Sequence, residues 1–131
     1  MRDLIYKVAS YINGLDVPYP VSVGLFEEEA SLVVRPTAGF KVVQTYMNKE
    51  RDLCVPFEIG MKSKDQEVAQ RVLHEVADHM QHFDAFLQKD AASKLHLTSK
   101  THFEGPPVFE KADDGYVYGY AQMRFDVTEL G

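Results

Sequence analysis

The chain of 131 residues has one cysteine, Cys54, and no tryptophan. A single cysteine excludes an internal disulfide and any zinc cage built from thiolates. Cys54 is expected to be a half-buried thiol in a strand. No run approaches the roughly 20 successive apolar residues that span a bilayer. The opening MRDLIYKVASYINGL carries Asp3 and Lys7 among its apolar residues, so it does not read as a signal peptide, and a soluble, intracellular chain is expected. Phosphate-binding glycine patterns are missing too: Gly39 and Gly60 stand alone, and there is neither Gly-x-Gly-x-x-Gly nor a Walker loop. No Gly-x-Ser-x-Gly nucleophile elbow occurs either. Positive charge is also scarce, with 14 Lys and Arg against 20 Asp and Glu and a net charge of −6. Sequence-specific nucleic-acid binding needs clustered cations, so the balance argues against it. An acidic surface can still line a channel through which DNA slides without sticking.

Apolar residues make up 45% of the chain, enough for one domain over residues 1–131 with its own core. Leu4, Ile5, Val8, Ile12 and Leu15 recur at helical spacing, and Asn13-Gly14 ends the pattern, so a helix is expected over 2–14. The prolines of Val17-Pro-Tyr-Pro20 then force extended backbone. Strands are expected at Val21–Phe26, Ala30–Arg35 and Phe40–Met47, with a polar turn at Asn48–Asp52. The strongest strand signal is Leu53, Val55, Phe57, Ile59 and Met61 alternating with Cys54, Pro56, Glu58, Gly60 and Lys62. A period of two gives one apolar and one mixed face. Pro56 cannot donate a ladder hydrogen bond, which predicts a sheet edge or a bulge there.

Ser63-Lys-Asp-Gln66 matches a capping box, followed by a helix over about 64–88. Alternation resumes in Lys94–Phe103. A short strand is expected at Val108–Lys111, a hairpin turn at Asp113-Asp-Gly115, and a long last strand with Val117, Ala121, Met123, Phe125 and Val127 on one side. The sum is α-β-β-β-β-α-β-β-β. It reads as an α+β fold: a mostly antiparallel sheet with two helices packed on one face.

Three of the five histidines fall within nine residues, in HEVADHMQH. A zinc protease helix needs His-Glu-x-x-His, with the two His four apart on one face. Here the second His comes five on, so His74 and His79 point about 140° apart. His74, Asp78 and His82 do align at i, i+4 and i+8, which makes them the candidate set for a metal-binding module or a metal-dependent enzyme. Val68, Ala69, Val72, Leu73, Val76, Ala77, Met80, Phe83 and Leu87 form the buried stripe, and the cluster reads more simply as the solvated side of that helix. Tyr116, Tyr118 and Tyr120 share the second face of the last strand. Such rings can stack bases, but only Arg124 supplies a cation there, and a packed face or protein interface fits better. Glu27-Glu-Glu29 reads as a solvated turn.

Four segments together carry a resemblance. They are the leading helix, VPYPVSVGLFEEEASLVVRPTAG (17–39), LCVPFEIGMKSKDQEVAQRVLHEV (53–76) and HFEGPPVFEKADDGYVYGYAQMRFDV (102–127). In this order they resemble the minor capsid protein family of tailed bacteriophages and prophages, over nearly the whole length. The resemblance implies a structural protein of the virion's head–tail junction, assembled in the bacterial cytoplasm. It implies a tail-terminator-like subunit forming a homo-oligomeric ring, commonly a hexamer, that caps the tail tube and docks to the head connector or stopper. It carries no catalytic motif, cofactor, metal, sequence-specific nucleic acid or membrane partner. Thr37–Tyr46 and the Asn48–Arg51 loop are expected to contribute contacts.

Overall fold

The structure, a computed structural model, describes residues 2–15, 19, 21–26, 30–37, 41–83, 95–97, 102–103, 105 and 107–129. Helix α1 spans Arg2–Asn13 and buries Leu4, Ile5, Val8 and Ile12, the stripe its spacing dictates. Its last turn closes through the Gly14 N–H, which donates to the Ser10 and Tyr11 carbonyls. Asn13 then ties the helix to the sheet: its Oδ1 accepts from the Val21 N–H at 3.0 Å.

Among the described residues eight strands lie in one sheet: β1 Val21–Val23, β2 Ser31–Pro36, β3 Lys41–Thr45, β4 Arg51–Ser63, β5 Leu95–Leu97, β6 His102–Phe103, β7 Val108–Lys111 and β8 Val117–Glu129. β4 and β8 pair antiparallel along their whole length, from Arg51↔Glu129 to Ser63↔Val117. This two-strand ladder is the spine of the molecule. On its β4 flank lie β2, against residues 57–62, and β3, against 51–54. On the β8 flank lie β5, β6 and β7 in succession. All pairs are antiparallel except β1 with β2, which run parallel with Val21 opposite Leu32.

That parallel pair is the exception within the mostly antiparallel sheet that was expected. β1 stops at Gly24, whose φ of +106° lies where glycine is favoured. Phe26 then lies across the sheet face opposite the helices: its ring sits where a Cβ on Gly60 would stand, 2.8 Å away. A parallel neighbour requires a crossover rather than a hairpin, and residues 27–29 of that connection lie outside the described residues.

Pro56 lies within the interior strand β4, in a register with β8 that has no bulge. The expected edge or bulge is thus corrected. β2 ends opposite Phe57 and β3 begins opposite Cys54, so no described ladder pair lies opposite Val55 or Pro56 on that flank. The Thr37 N–H donates to the Pro56 carbonyl from this side at 3.3 Å. A strand residue points its N and O the same way, so the proline's missing donor falls on this side, past the last β2 pair, where among the described residues no ladder bond calls for it.

Helix α2 spans Gln66–His79 and continues into a 3₁₀ turn at Met80–His82. Its N-cap is Asp65, in an extended conformation, with Oδ1 accepting from the Glu67 and Val68 N–H groups. The capping box expected on Ser63 is therefore displaced by two residues. Ser63 is held as the last paired residue of β4, and its Oγ accepts from the Asp65 N–H instead. Of the helix expected to run to 88, residues 84–88 lie outside the described residues.

Both helices pack on one face of the sheet. Leu32, Val34, Leu53, Val55, Phe57, Ile59, Met61, Met123, Phe125 and Val127 meet α1 and α2 in one core. At its centre Phe57 and Phe125 stack with ring centres 4.4 Å apart, and Phe83 stacks on Phe125 at 5.1 Å. Each fully buried side chain of this size contributes roughly 1.5–3 kcal/mol. Tyr11 joins the helices: its ring meets Phe83 edge-on and its hydroxyl donates to the His79 carbonyl at 2.7 Å. No described helix is long and apolar enough to cross a membrane.

Candidate functional site

The α+β fold leaves three surfaces on which function can sit: the outer face of α2, the sheet face away from the helices, and the two hairpins at the ends of the β4–β8 spine. The α2 face carries the histidines. His74, Asp78, His79 and His82 are all exposed, while Ala69, Val72, Leu73, Val76 and Ala77 are buried as the stripe requires. The alignment of His74, Asp78 and His82 assumed a regular helix through position 82. The 3₁₀ turn advances about 120° per residue against 100° for the α-helix, which swings His82 off that line by roughly 60°. His74 faces the Phe109 ring at 6.5 Å. Among the described residues no three His, Cys, Asp or Glu side chains form a group that could hold a metal ion.

The outer sheet face is built from the alternate positions of the same strands. Register places Arg35, Glu58 and Gln122 side by side on β2, β4 and β8. Glu58 is only 7% exposed and holds the row together. The Arg35 Nε donates to Glu58 Oε1 at 2.7 Å, and the Gln122 amide donates to Glu58 Oε2. A buried carboxylate is tolerable when paired and hydrogen-bonded in this way.

The tyrosines of β8 extend the row. The Arg35 guanidinium stands 5.5 Å from the Tyr120 ring, and the Lys62 ammonium 4.5 Å from that of Tyr116. Phe26 meets Tyr118 and Tyr120 edge-on, at 5.4 and 6.2 Å. The three rings sequence reasoning singled out are thus engaged within the chain, as a packed second face. Tyr118 donates to Asp114 Oδ2 at 2.8 Å. The Tyr116 N–H, first, and this hydroxyl, second, hold Asp114 below the usual carboxylate range, and the bond to Asp114 in turn pushes Tyr118 up.

The hairpins differ from these satisfied surfaces. In the first, β3 leads through residues 46–50 into β4. The Tyr46 N–H donates to the Glu50 carbonyl, the Lys49 N–H to the Tyr46 carbonyl, and Lys49 takes a φ of +71°. Tyr46 and Thr128 both donate to Asp52, each at 2.7 Å, fixing the hairpin to the spine. Yet every residue of β3 is exposed. Val43, in the register shift of a bulge, is 62% exposed, and Met47 at the tip is fully so.

The second hairpin joins β7 to β8 through Asp113, Asp114 and Gly115. There Val108 is 62% exposed, while Phe109 turns inward over Gly119, where a Cβ would stand 2.5 Å from its ring.

Seven large hydrophobic side chains are exposed among the described residues; Val42, Val43, Tyr46 and Met47 lie on the first hairpin and Val108 on the second. Apolar exposure is therefore concentrated on the first hairpin, which holds four of the seven, while Tyr6, Leu25 and Val108 stand singly; concentration is what marks an interaction surface. The contact segments expected at Thr37–Tyr46 and Asn48–Arg51 include most of the first hairpin. Met47 and Val108 were missed. Val108 follows Gly105-Pro-Pro107 and precedes Phe109, and only the inward turn of Phe109 shows that its neighbour faces out. The chain matches no protein-family model and no curated protein.

Proposed function

We propose that this chain is a structural protein of a phage or prophage head–tail junction. Its subunits form a tail-terminator-like ring that caps the tail tube and docks to the head connector or stopper. The observation that carries this reading is the first hairpin: an edge strand exposed at every residue, with Val42, Val43, Tyr46 and Met47 outward, on a domain whose core is otherwise closed. An apolar edge of that kind invites pairing with another chain, and a protein that works by interfaces requires one. The ordered segments resembling phage minor capsid proteins give the interface its setting. The net charge of −6 suits a ring whose lumen passes DNA without binding it.

The test is assembly on a polymerised tail tube, with electron microscopy of the tube ends and sedimentation of the free protein. Capped ends and arrested tube growth are expected. A chain that stays monomeric at high concentration and ignores tube ends at every salt concentration overturns the reading.

A further inference from the structure

The two exposed hairpins are placed and charged as the two halves of one contact. β3 flanks β4, and β7 flanks β8, so their outer edges, free among the described residues, lie on opposite sides of the sheet. β3 stands against residues 51–54, whose β8 partners are 126–129, whereas β7 stands against 117–120. The two edges are thus about nine residues, or roughly 30 Å, apart along the spine. β3 is antiparallel to β4, β4 to β8 and β8 to β7, so β3 and β7 run in opposite directions. Two copies in similar orientations therefore bring the β3 edge of one antiparallel to the β7 edge of the other.

Charge points the same way. Residues 41–50 carry Lys41 and Lys49 against Glu50, a net +1 in a chain of net −6. Residues 108–114 carry Glu110, Asp113 and Asp114 against Lys111, a net −2. Like hairpins repel and unlike hairpins attract, which disfavours a two-fold dimer through either hairpin alone. Lys41 and a bulge guard the β3 edge, but that bulge presents Val43 outward, and no proline or inward charge protects residues 42–45.

We infer that the β3 hairpin of one copy docks antiparallel on the β7 edge of the next, with Val43 opposite Val108 and, in that register, Lys41 opposite Glu110. This rests on the ring reading above and names its surfaces. A contact between different patches at opposite ends is head-to-tail, and it closes into a ring when the rotation per copy is right.

The test uses the full chain with Cys54→Ser, bearing either Val43→Cys or, in nitrogen-15-labelled protein, Val108→Cys, mixed in equal amounts under mild oxidation and resolved by mass. The mixed disulfide is expected to exceed both like-with-like disulfides several-fold, above the two-to-one ratio of random pairing. A random or like-with-like distribution overturns the inference. Sedimentation of wild type beside Val43→Glu and Val108→Glu separates the two claims. Assembly in wild type that both variants lose supports the inference; assembly that both retain overturns it and leaves the ring standing. Failure of wild type to assemble or cap tubes, with random disulfides, removes both.

Discussion

The hydrogen bond between Tyr46 and Asp52 locks the first hairpin, and it makes that hairpin sensitive to pH at both extremes. The Tyr46 hydroxyl, and after it that of Thr128, holds Asp52 below its ordinary 3.8. The same bond, seen from the other partner, holds Tyr46 above 10.0. A lowered acid contributes stability above its unfolded value and loses it as pH falls through the folded one. A raised phenol contributes below its unfolded value and loses it as pH rises through the folded one. The bond is therefore fully stabilising between about pH 4 and 10 and fades outside that window. Thermal unfolding of wild type and Tyr46→Phe should differ most at neutral pH and converge as pH falls below 3.8 or rises above 10.0. A difference independent of pH would mean that the ring's packing, not the bond, holds the hairpin.

At the scale of elements, two small features decide how the strands meet α2. Asp65 satisfies two of the helix's free N–H groups, and Asp65→Ala should cost about 1 kcal/mol, as removal of an N-cap does; denaturant unfolding reads it directly. Ser63→Ala should cost less at the helix end, because Ser63 caps nothing within the helix. Gly119 is needed for a different reason. A Cβ there would meet Phe109 at 2.5 Å and Leu73 at 3.2 Å, so Gly119→Ala should destabilise by roughly 1–3 kcal/mol through overpacking. An unchanged midpoint would show that the Phe109 ring swings aside freely.

These elements also show what is legible in a sequence. The stripe of α1 and the alternation of β4 are periodic over many residues, and both formed where the periodicity puts them. The cap slipped from Ser63 to Asp65 because two good capping residues stood two apart, and the pairing of Ser63 with Val117 decided between them. The parallel β1–β2 pair was not legible. It depends on Phe26 filling the space over Gly60, a long-range fit that leaves no local pattern. Pro56 gave the right warning, a missing donor, but the break between described ladders that accommodates it exists only once β2 and β3 share one edge of β4. The histidine cluster misled for a similar reason: its alignment at 74, 78 and 82 presumed a helix that in fact tightens at Met80.

For the molecule as a whole, the spine separates what holds the fold from what is free to bind. The stacked Phe57, Phe125 and Phe83 lie at its centre with no exposure, whereas Val43 sits outside the core on an edge. Phe125→Ala should remove about 3–5 kcal/mol, the transfer term plus the cavity left between two rings. A domain of this size has about 5–15 kcal/mol in all, so that variant should unfold well below the wild-type temperature. Val43→Glu replaces an exposed side chain with a charged one and should shift stability by no more than about 0.5 kcal/mol, while weakening self-association in sedimentation. The two measurements on the two variants are therefore expected to dissociate. Were Val43→Glu to unfold the chain as Phe125→Ala does, the first hairpin would be part of the fold's own scaffold, and its exposed valines could no longer be read as a surface held ready for another copy.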